Sequence, residues 1–137
     1  MINANELRMG SLIEKDNVMY KFLSLEQNHT STSEYRWYWV ETLDGKLGHY
    51  YYSHFKPIPL TPEILEKCGL KNGNSELDRN VFYSTNKHLA QFSVNISGSF
   101  GIYVGVFIAL RSVHLEYLHQ LQNLYFALTN EELTFKP

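Results

Sequence analysis

The chain has 137 residues, 44% hydrophobic and 19% charged, which excludes a disordered tail and suits one compact domain or two very small ones. Twelve Lys and Arg stand against fourteen Asp and Glu, and each of the stretches 1–60 and 61–137 carries six basic and seven acidic residues. With no basic block, bulk electrostatic attraction to nucleic acid or to an acidic membrane is not indicated.

The front of the chain reads as short strands. Ser11–Glu14 and Val18–Leu25 flank the turn-forming triplet Lys15-Asp16-Asn17. Residues 26–34 are polar and unpatterned, which predicts a loop. Tyr35–Thr42 is rich in aromatics and Val, residues that suit a pleated, half-buried surface. Asp44-Gly45 is a hairpin signal, and Leu47–Tyr52 is the returning strand. Four or five such strands in so short a stretch predict a small SH3-like β-barrel over residues 1–57.

Past Lys56-Pro57-Ile58-Pro59 the pattern changes. Thr61 is a good N-cap, Pro62 fits the first helical position, and Glu63 favours the positive end of the helix dipole. Gly69 stands where a left-handed C-cap belongs, so the helix is short, and Lys71–Asn74 reads as a loop. Three strands are expected next: Val81–Tyr83, Leu89–Ile96 with one apolar face, and Ile102–Leu110 with two, the last pair joined by a turn at Gly98–Gly101. Tyr117, Leu118, Leu121, Leu124, Tyr125 and Leu128 recur at helical spacing and predict a closing helix. The fold class is therefore α+β: the barrel, then an α-β-β-β-α unit over 58–137 with an antiparallel sheet, its two helices on one face, packed against the barrel.

Several chemistries find no support. Six histidines lie scattered at positions 29, 49, 54, 88, 114 and 119, without the spacing of a metal site. The Gly98-Ser99-Phe100-Gly101 stretch lacks the lysine of a phosphate-binding loop. Cys68, the one cysteine, is read as a small apolar filler of a short helix rather than a nucleophile. Neither a cofactor nor an enzymatic role is expected. The N-terminal Met-Ile-Asn-Ala-Asn-Glu carries no basic-then-apolar segment, and the longest apolar run, Gly101–Leu110, is half of a membrane helix. A cytoplasmic protein without membrane attachment is the expectation.

Two surfaces stand out. Eight of the twenty aromatic residues fall between Tyr35 and Phe55. Strand alternation puts Trp37 and Trp39 on one face and Tyr38 on the other, and likewise opposes Tyr51 to Tyr50 and Tyr52. A small barrel has only one inside, so some rings belong on the surface or under another element. Exposed rings bind extended peptides or stack unpaired bases; the competing reading makes them cross-strand pairs packed on the C-terminal half. On the closing helix, His119, Asn123 and Phe126 share a face, flanked by Gln120 and Gln122. Amides suit an interface, and they also suit an ordinary solvated face. The candidate contact residues are Trp37, Tyr38, Trp39, Tyr50, Tyr52, His119, Asn123 and Phe126.

Three stretches are distinctive: Asn3-Ala4-Asn5-Glu6-Leu7-Arg8-Met9-Gly10, Pro57-Ile58-Pro59-Leu60-Thr61-Pro62-Glu63-Ile64-Leu65-Glu66-Lys67-Cys68-Gly69, and His114-Leu115-Glu116-Tyr117-Leu118-His119-Gln120-Leu121-Gln122-Asn123-Leu124-Tyr125-Phe126-Ala127-Leu128-Thr129. In order and spacing they resemble a family of short uncharacterised proteins of Bacteroides-type gut bacteria, their phages and mobile elements. Met9 stands where that family more often has isoleucine or leucine. The resemblance implies a bacterial or phage cytoplasmic setting and brings no activity. The expectation is a non-catalytic binding or adaptor protein whose partner is a protein, a second copy of the chain included. The alternative is a single-stranded nucleic-acid binder using the aromatic hairpin, which the charge does not support; an enzyme of unrecognised type comes third.

Overall fold

A computed structural model describes residues 2–30, 33–72, 81–83, 92–96, 102–106 and 111–137. The chain is mixed α+β and divides into two compact units, Met1–Ile58 and Pro59–Pro137. Among the described residues no helix is long and apolar enough to cross a membrane.

The first unit is a five-stranded antiparallel sheet: β1 (Leu12–Lys15), β2 (Val18–Thr30), β3 (Ser33–Thr42), β4 (Leu47–Tyr51) and β5 (Lys56–Pro57). Its strand order is β4-β3-β2-β1-β5. Asp16 and Asn17 turn β1 into β2 with φ of 51° and 64°, the paired positive values of a type I′ hairpin. Leu43-Asp44-Gly45 turns β3 into β4. Gly45 takes φ 94° there, and the Thr42 N–H donates to Lys46 O at 2.9 Å to close the loop. The inner face gathers Ile13, Tyr20, Phe22, Tyr38, Val40 and Phe55 into one core with Ile2.

Two expectations change here. The predicted SH3-like barrel is an unclosed sheet, because β4 and β5 stand at its opposite ends and do not pair. The predicted loop at 26–34 is instead the far half of a long hairpin, with Gln27 opposite Arg36 and Thr30 opposite Ser33. Cross-strand pairing satisfies backbone groups whatever the side chains, so a polar ribbon continues the ladder without an apolar signature. A bulge between Phe22 and Ser24 shifts the register of β2 midway. Tyr52, expected to end β4, instead opens a 3-10 turn, Tyr52–His54.

The second unit holds α1 (Pro62–Lys67), strands β6 (Lys71–Asn72), β7 (Val81–Tyr83), β8 (Phe92–Ile96), β9 (Ile102–Val106) and β10 (Arg111–Leu115), and α2 (Leu118–Thr129). The strands form an antiparallel meander, β10-β9-β8-β7-β6. Among the described residues five strands stand where three were expected. Lys71–Asn72 pairs with β7 where a loop was predicted, and Arg111–Leu115 pairs with β9 along its whole length. The Gly98–Gly101 turn, residues 89–91 and residues 107–110 lie outside the described residues.

Helix α1 follows its caps. Thr61 Oγ1 accepts the Ile64 N–H at 3.2 Å, and Pro62 occupies the first turn. At the other end Gly69, at φ 83°, donates to Glu66 O while Leu70 donates to Leu65 O, the paired bonds of a Schellman stop. Helix α2 begins at Tyr117, whose N–H donates to Gln120 Oε1 at 3.1 Å, and ends at Asn130 in the left-handed region.

Candidate functional site

The outer face of the β2-β3-β4 hairpins is built by alternation. Opposite the core-facing Tyr38 and Val40 of β3, Trp37, Trp39 and Glu41 point away. Register puts Tyr51 beside Trp37, His49 beside Trp39 and Leu47 beside Glu41. On the other flank, the bulge in β2 brings Ser24 opposite Trp39 and Glu26 opposite Trp37. Three strands thus deliver their side chains to one outer surface.

These rings form a continuous array. Trp39 stacks on the His49 imidazole, with centroids 4.2 Å apart and planes 14° from parallel. His49 lies 5.1 Å from Trp37, and Trp37 meets Tyr51 edge-on at 5.7 Å. Tyr51 continues to Tyr52 at 4.9 Å and to His54 at 6.2 Å. Glu26 is folded into the array: its Oε2 accepts the Trp39 indole N–H at 3.2 Å and stands 3.1 Å from His49 Nε2. Trp39 keeps 40% of its surface exposed and Leu47 keeps 70%, so the array is open to solvent. Face and edge contacts at 4.5–7 Å orient rings without hiding them. The site therefore presents stiff π-faces around one half-exposed carboxylate.

The other residues of the aromatic hairpin play a different part. Tyr38 is 1% exposed and makes an edge-on contact with Phe22 at 5.1 Å, which corrects its place among the candidate contact residues. Burial raises the pKa of its hydroxyl. Tyr50 packs on Tyr20 at 5.9 Å and on Phe55 at 6.1 Å, and Lys15 Nζ lies 4.7 Å from its ring centroid. Tyr52 leans on the same core while touching Tyr51. Gly48 is required beneath Tyr50: a Cβ there would stand 2.4 Å from the ring. Sequence reasoning found Trp37 and Trp39 and passed over Glu26, His49 and Tyr51. Once the Asp44-Gly45 hairpin is drawn, alternation places His49 and Tyr51 beside the tryptophans. Glu26 was hidden by the loop reading of 26–34.

The second predicted surface does not assemble. His119 is 1% exposed and lies parallel to Tyr117, 5.9 Å away, so it belongs to the buried side of α2 with Leu118, Leu121, Gln122 and Tyr125. Asn123 is half-buried, and Phe126 and Leu128 are exposed on the last turns. The predicted apolar stripe is thus rotated toward His119 and Gln122. The second unit also carries an open groove of about 680 Å³ between α1, Tyr125 and the tail at Leu133–Lys136, with Glu63, Glu66 and Lys67 on its wall. Cys68 borders it, but burial pushes the thiol pKa up to about 12, so at neutral pH it is no nucleophile. Among the described residues no group of three or more His, Cys, Asp or Glu is placed to hold a metal ion.

Compared with known proteins, the chain matches no family model, no curated protein and no solved structure.

Proposed function

We propose that this protein is a non-catalytic binding or adaptor module whose contact surface is the outer aromatic face of β3 and β4, and that its partner is another protein. One observation carries the reading: Trp37, Trp39, His49 and Tyr51 line up in mutual contact on the solvent side of the hairpin, away from the core that employs Tyr38 and Tyr50. Large rings with few rotatable bonds lose little entropy on binding, which is why such residues dominate protein contact surfaces. The bulged four-strand meander, followed by a 3-10 segment and a fifth strand that returns to pair with β1, supports treating the first unit as an opened SH3-like module. A bacterial or phage cytoplasmic setting, which the resemblance to short proteins of Bacteroides-type bacteria and their mobile elements implies, is part of this proposal.

Stacked rings would also receive unpaired bases. However, the carboxylate of Glu26 sits among them, and the lysine on the same face of β2, Lys21, stands opposite Glu41. A phosphate backbone would meet repulsion where it needs cations, which favours a protein partner.

The test is site-specific photo-crosslinking in the native host, with a photoreactive residue at Trp39 and, as control, at the exposed Glu66 of α1. Discrete protein adducts from position 39 and none from position 66 are expected. Adducts to nucleic acid, or no difference between the positions, would overturn the reading.

A further inference from the structure

The two edges of the first sheet are built differently. β5 is two residues long and consists of a lysine and a proline, two of the devices that keep sheet edges from pairing. β4 is five residues long, Leu47-Gly48-His49-Tyr50-Tyr51, with no lysine, no arginine, no carboxylate and no proline. Its inner side is committed to β3. In an antiparallel ladder hydrogen-bonded pairs alternate, and the bond from Thr42 N–H to Lys46 O sets the phase. Gly48 and Tyr50 therefore exchange bonds with Val40 and Tyr38. Leu47, His49 and Tyr51 turn their N–H and C=O groups to the opposite side, where no described strand pairs with them. Those same three residues send their side chains to the outer face. The free backbone row and the aromatic array thus meet along one line.

Charge narrows what fits. On β2, β3 and β4 three ionised side chains among the described residues point to this face, Lys21, Glu41 and Glu26, while Glu14 and Lys56 oppose each other farther across the sheet on β1 and β5. Lys21 and Glu41 oppose each other across β2 and β3. Among the described residues Glu26 has no lysine or arginine in an ion pair; its carboxylate leans over the tryptophans as far as His49 Nε2, 3.1 Å away on β4. A side chain from a strand beyond β4, opposite His49, would need to reach back only over that imidazole to meet the carboxylate. A guanidinium or ammonium arriving there would lie between a carboxylate and indole faces, the combination that attracts organic cations.

We propose that the open edge of β4 takes an added strand from a partner polypeptide, an extended segment with arginine or lysine opposite His49 and apolar residues two positions to either side, beside Leu47 and Tyr51. This rests on the reading of the outer face as the contact surface and adds the backbone edge and the basic residue. Main-chain bonds to Leu47, His49 and Tyr51 hold the strand, and its outward side chains select it.

The experiment is selection from a random heptapeptide display library against the full chain, followed by amide hydrogen exchange with the best selected peptide. The expected peptides carry apolar-x-(Arg or Lys)-x-apolar, and binding slows exchange of the Leu47, His49 and Tyr51 amides. Glu26→Gln should weaken the basic peptide about tenfold while barely changing an Arg→Gln version of it. Leu47→Pro should abolish binding; because a proline can disturb the turn, the exchange data on the unaltered chain carry the same test. Peptides without a basic preference, or bound without protecting those three amides, overturn strand addition. If Trp37→Ala still abolishes their binding, the aromatic face survives as the contact surface. Failure to enrich any peptide overturns strand addition too, and the crosslinking at Trp39 then decides the broader reading separately. Sedimentation of the chain as a dimer that Leu47→Lys dissolves would hand the edge to a second copy and overturn the proposal.

Discussion

Trp37, Tyr38 and Trp39 are consecutive residues with opposite fates. Tyr38 points inward and is enclosed by Phe22, Tyr52 and Phe55. The tryptophans on either side point outward and are held by His49, Tyr51 and Glu26 while remaining open to solvent. The chemistry is alike; what differs is which face of the pleat is covered. Rings on the inner face contribute stability by leaving water, and rings on the outer face retain surface that a partner can remove from water.

The widest separation between the faces should come from truncating each in turn. Tyr38→Ala removes a fully enclosed ring and should cost about 3–5 kcal/mol, whereas Trp39→Ala should cost about 1 kcal/mol or less. Urea denaturation of both variants measures the gap, and equal losses would erase the distinction. Gly48→Ala comes next, because the added methyl meets the Tyr50 ring, itself pinned by Tyr20 and Phe55. A loss of about 1–3 kcal/mol is expected; an unchanged melting temperature would mean that Tyr50 is free to move, and so not a core ring.

A buried titratable group in the second unit sharpens the same contrast between covered and open side chains. The Cys68 thiol pKa is raised by burial to about 12 in the folded chain. The unfolded chain, with its lower thiol pKa, releases the proton first. The fold's stability is therefore held below about pH 9 and lost as the pH climbs toward the folded value, by at most about 1.4 kcal/mol per pH unit. The difference in alkaline denaturation between the natural chain and Cys68→Ala isolates that slope, and parallel curves would contradict the burial. The smallest effect belongs to Glu26→Gln. Its carboxylate bonds are exposed, so stability should change by less than about 1 kcal/mol. The indole environment of Trp39 should change nonetheless, read as a shift in tryptophan emission.

The local grammar of the chain was legible wherever a residue type has only one good use. Asp16-Asn17, Asp44-Gly45, Thr61-Pro62 and Gly69 mark turns and caps in the sequence, and each makes the turn or cap expected of it. The polar stretch at 26–34 was not legible, because pairing there uses backbone groups that every residue carries. Arg111–Leu115 escaped for a related reason: an apolar run followed by Arg-Ser-Val-His-Leu gives no turn signal to separate two strands. The face of α2 was misjudged because His119 and Gln122 count as polar in any pattern, yet both are buried.

By itself the sequence determined an α+β chain with a strand-rich front, a capped short helix and a closing helix, since periodicity and turn chemistry act over a few neighbouring residues. It also determined that Trp37 and Trp39 share a face, because the pleat has a period of two. Only the tertiary structure decided that this face is the outer one. It alone brought Glu26 across β3 to His49 and left β4 as an edge without lysine or proline. Those facts depend on register and strand order, which join residues far apart in the chain and leave no local signature.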